Sequence, residues 1–242
     1  MKTAAFKSTH KAFTLRELLV VLAVVSLLAF MLLPALAKAK AYRNPIRCNN
    51  NLKQIALSFK MYAGDCDQRF PQFNDSDLGS TGLPSTNPPP AVWKYFRALS
   101  NELGSAAILV CPDDVLRNKN YATDFSDRAN GLGGTSKRDT AASYFVGMNA
   151  VETKPNALLV GDRNLSPAPN AGFYRSTNGA SVDVAADAFW HTSPQEPFHK
   201  KEGFYALADG SVQRANSDRL QEALRLARQS YGSNANHILF PQ

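Results

Sequence analysis

Lys11-Ala12-Phe13-Thr14-Leu15-Arg16-Glu17-Leu18-Leu19-Val20-Val21 runs straight into an apolar segment, and residues 18–37 carry no charge. Read as helix at about 1.5 Å of rise per residue, that segment spans about 30 Å, the thickness of a bilayer core. Glu17 stands at its head and is the anomaly. An ionised carboxylate inside a spanning segment costs on the order of 2.5–3.5 kcal/mol, so an acid kept there is a functional candidate by default. Beyond the apolar run the helical pattern continues. Ala, Leu, Lys and Gln dominate, Ile46, Leu52, Ile55, Leu57, Phe59 and Tyr62 recur near helical spacing, and Gly64 is a plausible stop. The reading is one long helix over 13–64, membrane-spanning over 13–37. Pro34 and Asn44-Pro45 are the places where it can bend, because proline removes a backbone hydrogen bond.

A short basic leader, then Phe13-Thr14-Leu15-x-Glu17-Leu18-Leu19 and the apolar run, resembles the N-terminus of type IV pilins and type II secretion pseudopilins. The resemblance implies a cut between Ala12 and Phe13 by the prepilin peptidase, a membrane aspartyl enzyme that also methylates the new N-terminus. It makes Glu17 the family's assembly acid, paired with the terminal amine of a neighbouring subunit as a fibre grows. A buried charge is costly alone and less so when paired. Pro34 matches a proline common in the family and is the expected helix kink. Two positions depart from the pattern: Ala12 where glycine is usual, and Arg16 where an apolar residue is usual. Arg16 can pair with Glu17 or snorkel to the headgroups. The implied partners are the peptidase, other pilin-like subunits including copies of this chain, the inner-membrane assembly platform and the membrane. The implied location is the inner membrane, N-terminus cytoplasmic and C-terminal domain periplasmic, and then a fibre. The competing reading is a plain signal anchor, or a secretory signal cut after Ala35-Leu36-Ala37.

With residues 1–12 as leader and 13–64 as helix, residues 65–242 form one soluble domain, long enough for a real core at 44% hydrophobic residues. Removing Lys2, Lys7 and Lys11 with the leader lowers the formal charge from +7 to about +4, an excess that serves solubility rather than nucleic-acid binding. Three cysteines leave one thiol over if two pair. A Cys48–Cys111 bridge is the preferred pairing. Cys48–Cys66 is disfavoured, because eighteen residues of continuous helix separate them by about 27 Å. Unpaired buried thiols are the alternative. There is no Cys-x-x-Cys, so neither a zinc ribbon nor a thioredoxin-like site is indicated.

Turn-rich stretches around Gly79 and Pro88 mark residues 65–90 as loop, and Gly131, Gly133 and Gly134 mark another. Trp93, Tyr95, Phe96 and Leu99 predict a short helix over the core. Strands are expected over 143–148 and 157–161. A hairpin over 203–208 and 211–215 is expected to turn through Asp209-Gly210 as a type I′ pair. Ser217 is the expected cap of a helix over 218–229. The fold class is α+β, a long helix packed on a small antiparallel sheet, pilin-like in arrangement.

His199, nine residues and Asp209-Gly210 resemble the H-X9-DG motif of a large bacterial family of pilin-like secreted proteins. Those proteins tend also to carry the run matched by Cys48, Asn50, Asn51, Leu52, Lys53, Gln54 and Ile55, and a Cys111-Pro112-x-Asp114 segment. His199 and Asp209 are expected to hydrogen-bond across the hairpin and order it. No phosphate loop, nucleophile elbow or dinucleotide fingerprint occurs, and no enzymatic role is expected. No cofactor is expected; calcium on Asp162, Asp183, Asp187 and Asp209 is the one cation considered, without an EF-hand pattern. Three roles follow. The first is a structural subunit of a pseudopilus or pilus-like fibre used in protein secretion. The second is a surface pilus subunit for adhesion or DNA uptake, with Arg97, Tyr174 and Arg175 as a faint basic–aromatic alternation. The third is a tethered envelope domain that never polymerises.

Overall fold

Helix α1 runs from Leu15 to Asp65 in the computed structural model, which describes residues 14–73, 91–168, 182–192 and 198–241. Its assignment passes through Pro34 and Pro45 without a break. The chain divides into two compact units, Met1–Arg43 and Asn44–Gln242. Ala12 and Phe13, the expected processing residues, lie outside the described residues, as do the loop signals at Gly79 and Pro88 and the residues Tyr174 and Arg175.

In the first unit Leu15–Leu33 is long and apolar enough to cross a membrane, and none of it is buried against protein. Among the described residues it is the one such helix, and it fits a membrane anchor or a signal sequence. Thr14 opens the helix. Its N–H and hydroxyl donate to Glu17 Oε2 at 2.9 and 2.8 Å, and the Glu17 N–H donates back to Thr14 Oγ1 at 3.3 Å. This reciprocal capping box satisfies donors that a helix start leaves orphaned.

The second unit is α+β. Its six-stranded sheet has the order β4-β8-β1-β2-β6-β7, with every neighbouring pair antiparallel. The strands are β1 (Tyr144–Gly147), β2 (Leu158–Asp162), β4 (Val182–Asp183), β6 (Glu202–Leu207), β7 (Val212–Asn216) and β8 (His237–Leu239). Strands β3 (Leu165–Ser166) and β5 (Phe189–Trp190) pair separately. Successive side chains in a strand point to opposite faces, and here both faces are covered. Tyr144 and Val146 of β1, with Phe204 and Ala206 of β6, share one core with Cys48, Leu52, Ile55, Phe59 and Ala63 of α1. Helix α2 (Val92–Ala98) adds Tyr95 and Phe96 to that core, and the short α3 (Ser100–Leu103) adds Leu103. Phe145 and Tyr205 point the other way, into a core closed by Leu220 and Leu224 of helix α4 (Ser217–Tyr231).

Two local expectations are corrected. The β6–β7 connection is not a type I′ Asp-Gly turn. The Gly210 N–H donates to Leu207 O at 2.9 Å, and the Leu207 N–H to Ser211 O at 3.0 Å. Only Gly210 has positive φ, at +89°, and Asp209 does not. This is a three-residue loop of Ala208, Asp209 and Gly210, whose glycine takes the left-handed place. The cap of α4 is Asn216, whose Oδ1 accepts from the Arg219 N–H at 3.1 Å. Ser217 instead accepts from the Trp190 N–H at 3.2 Å and ties β5 to the helix start.

Cys48 and Cys111 are joined in a disulfide with Cα atoms 5.0 Å apart, and Cys66 keeps a half-buried free thiol. Closing a separation of 63 residues restricts the unfolded chain by about 4 kcal/mol on the chain-entropy scale.

Candidate functional site

The apolar strand β2 ends at Asp162 and runs on into Arg163 and Asn164, three polar residues that are all buried. Burying a charge this deeply costs several kcal/mol unless partners are built around it. Arg163 meets Asp114 in a two-pronged pair, Nε to Oδ2 at 2.6 Å and Nη2 to Oδ1 at 2.8 Å. Ser143 donates its hydroxyl to the same carboxylate at 2.8 Å. Asn164 Nδ2 lies within 3.1–3.3 Å of the carbonyls of His191, Phe198 and Glu202, and so holds both ends of the segment that carries His199.

His199 is the centre of the arrangement. It lies between Phe198, stacked at 4.6 Å, and Phe204, edge-on at 5.0 Å. Its Nδ1 is 3.1 Å from Asp113 Oδ2. Its Nε2 is 3.2 Å from Cys111 Sγ and 3.5 Å from Asp162 Oδ2. Asp162 Oδ2 also accepts the Phe204 N–H at 2.7 Å, while its Oδ1 is buried without a partner. His199, Lys200 and Lys201 all have left-handed backbone, with φ of 50, 47 and 69°. Such conformations cost roughly 1–2 kcal/mol each for residues with a Cβ, so the packing around His199 holds strain in place.

Burial pushes the Asp162 carboxyl up to about 6, with the His199 ring and the Phe204 N–H opposing it. Burial pulls the ring's own pKa down, but the carboxylates of Asp162 and Asp113 more than offset this and leave it raised. Asp113 is held below the ordinary carboxylate value, chiefly by its hydrogen bond to His199.

The expected His199–Asp209 bond is absent. His199 precedes β6 and Asp209 follows it, so the strand's length of about 3.3 Å per residue separates them. Asp209 instead accepts the Ser211 N–H at 2.8 Å within its own turn. The four aspartates considered for calcium are placed apart. Asp162 is in the His199 cluster, Asp183 is held by Arg228 at 2.8 Å, and Asp209 is in the hairpin loop. Among the described residues no three carboxylates gather with metal-ligand spacing, Asp187 included; the one such group is Cys48, Cys111 and His199. Arg97 is engaged by Asp127 and lies over the Trp93 ring, 5.9 Å from its centroid.

Sequence reading singled out His199, Cys111, Asp114 and Asp162, but not that the fold joins them. It passed over Asp113, Arg163 and Asn164. The available signals were the paired carboxylates of Cys111-Pro112-Asp113-Asp114 and the polar triplet that ends an apolar strand. No protein-family model, curated protein or solved structure matches this chain.

Proposed function

We propose that this chain is a pilin-like subunit, processed before Phe13 and assembled through its N-terminal helix into a pseudopilus or related fibre that serves protein secretion. The observation that carries the reading is the apolar segment Leu15–Leu33, wholly uncovered by protein, with one carboxylate, Glu17, in its first turn. An apolar surface on every side of a helix needs lipid or other such helices around it. A subunit that passes from bilayer to fibre meets both in turn. In this reading the acid draws a neighbour's terminal amine, and the sheet domain stands on the periplasmic side of the inner membrane. The partners are the prepilin peptidase, further pilin-like subunits and the assembly platform.

One observation favours a second reading, a permanent tether. The Glu17 carboxylate is already bonded within its own chain, to Thr14. A cut before Phe13 leaves Thr14 in place, so a neighbour's amine has to compete with that box. Intact mass and N-terminal sequencing of the protein from its native membrane test the proposal. A chain beginning at methylated Phe13 supports the subunit. A chain beginning at Met1 supports the tether, and one beginning near Lys38 means ordinary secretion and overturns the fibre.

A further inference from the structure

The three donors at the centre of the sheet domain come from distant parts of the chain. Cys48 is on α1, Cys111 follows a short 3-10 helix (Ala106–Leu109), and His199 immediately precedes β6. Their ligand atoms all lie within 4.8 Å of one another. Tetrahedral zinc with bonds of about 2.0–2.3 Å sets its donor atoms roughly 3.3–3.8 Å apart. The separation of 3.2 Å between Cys111 Sγ and His199 Nε2 is already close to that range.

The surroundings fit a metal better than a disulfide alone. A metal-bound histidine gives its second ring N–H to a carboxylate, which fixes the tautomer and the ring plane. Asp113 stands at that place on Nδ1, leaving Nε2 directed at the sulfur. Asp162 faces the same Nε2, with a wholly buried carboxylate and one oxygen unpartnered. A disulfide needs neither carboxylate, whereas a metal-bound imidazole uses the one on Nδ1, and the unpartnered Asp162 oxygen is the part of the cluster that the ring and the Phe204 N–H leave unsatisfied.

We propose that Cys48, Cys111 and His199 form a zinc site in the reduced chain, with Asp113 orienting the ring and the buried Asp162 carboxylate beside Nε2, and that the disulfide is the oxidised alternative of the same site. A dithiol reductant passes two electrons and two protons to the Cys48–Cys111 bond and becomes a disulfide itself. Zn2+ then displaces both thiol protons to solvent. An oxidising disulfide reverses the sequence: it takes two electrons from the zinc-bound thiolates and two protons from solvent to become a dithiol, the Cys48–Cys111 bond re-forms and Zn2+ is released. Either lock ties α1 to the segment after the 3-10 helix, so the domain is clamped before and after oxidation. The site is independent of the fibre reading.

The test uses the full chain in detergent micelles on a Cys66→Ser background, which removes the third thiol. After reduction with a phosphine, Co2+ is added as a spectroscopic stand-in for Zn2+. One equivalent per chain is expected to give the intense visible bands of tetrahedral thiolate-bound cobalt, bleached by Zn2+. The oxidised chain is expected to give none. Asp113→Asn keeps the spectrum and weakens binding about 10–100-fold, and Asp162→Asn weakens it at least tenfold. His199→Gln abolishes tight binding. A reduced chain that stays folded without taking up cobalt overturns the proposal. So does one that unfolds and is not refolded by metal, and so does affinity unchanged in His199→Gln and both aspartate variants.

Discussion

Helix α1 has two halves with opposite surroundings. Leu15–Leu33 leaves its leucines and valines exposed on every side, whereas Cys48, Leu52, Ile55, Ala56, Phe59, Tyr62 and Ala63 are buried against the chain's own sheet. The difference is one of pattern rather than of hydrophobic content. The second half keeps Lys53 and Gln54 exposed between its buried residues, so its apolar stripe faces one way and a single sheet satisfies it. The first half has no polar side for water to take. A one-sided helix completes a domain, and an all-round apolar helix requires an environment that the domain does not supply.

The largest effect that could break this comparison concerns Glu17. Glu17→Ala is expected to abolish fibre assembly in cells, read by electron microscopy and shear fractionation. The melting of the sheet domain should stay unchanged, because Glu17 bonds only to Thr14 among the described residues. Fibres formed normally by the variant would remove the assembly role and leave the capping box as the residue's whole function.

The two halves can next be compared directly by truncating one residue in each. Phe59→Ala empties a site packed edge-on against Phe70, ring centroids 5.9 Å apart, and should cost about 3–5 kcal/mol in urea denaturation followed by near-ultraviolet circular dichroism. Leu22→Ala should leave the same transition within about 0.5 kcal/mol, since its side chain is exposed. Equal losses would mean that the apolar half packs on the domain.

This contrast was legible in the sequence because it rests on local spacing. An unbroken uncharged run, an acid at its head and a half-periodic continuation are all visible without a fold. The hairpin, the strands β1 and β2 and the terminal helix were legible for the same reason. The His199 cluster was not. Asp113, Asp162 and His199 meet only when β2, β6 and the Cys111 segment are side by side, and nothing in residue spacing encodes that meeting. The nearest local partner, Asp209 in the same motif, was the wrong one because a whole strand intervenes. The cap of α4 was displaced by one residue, since Asn216 and Ser217 are both good caps and the tie to Trp190 decides between them.

Alkaline titration sharpens the comparison from the buried side. Burial raises Tyr95, Tyr144 and Tyr205 above the ordinary phenol value of 10.0. The neutral phenols are therefore favoured in the fold. Their contribution to stability is fully present below about pH 10 and is lost as pH rises above it. These three phenols should stay un-ionised until the domain unfolds, so their phenolate absorbance rises in a phase coincident with loss of circular dichroism. A single phase ahead of unfolding would show the cores to be open to solvent.

The smallest effect is at the far end of the buried half, where the hairpin loop comes close to α1. A Cβ placed on Gly210 would meet only Lys60 Cγ, at an ordinary 3.7 Å, so Gly210→Ala introduces no clash. What it introduces is a side chain at φ +89°, where an L-residue is strained. The cost should be about 1 kcal/mol, with an unchanged denaturant slope, because the strain is local and the surface exposed on unfolding is the same. Gly203→Ala, on the strand β6 that leads into the loop, is the control. Its Cβ would run into the Trp190 ring, so it should cost about 1–3 kcal/mol by overpacking although its φ is ordinary. If Gly210→Ala proved the costlier of the two, backbone conformation at the turn would outweigh packing inside the sheet, and the three-residue loop would be the more constrained feature of the hairpin.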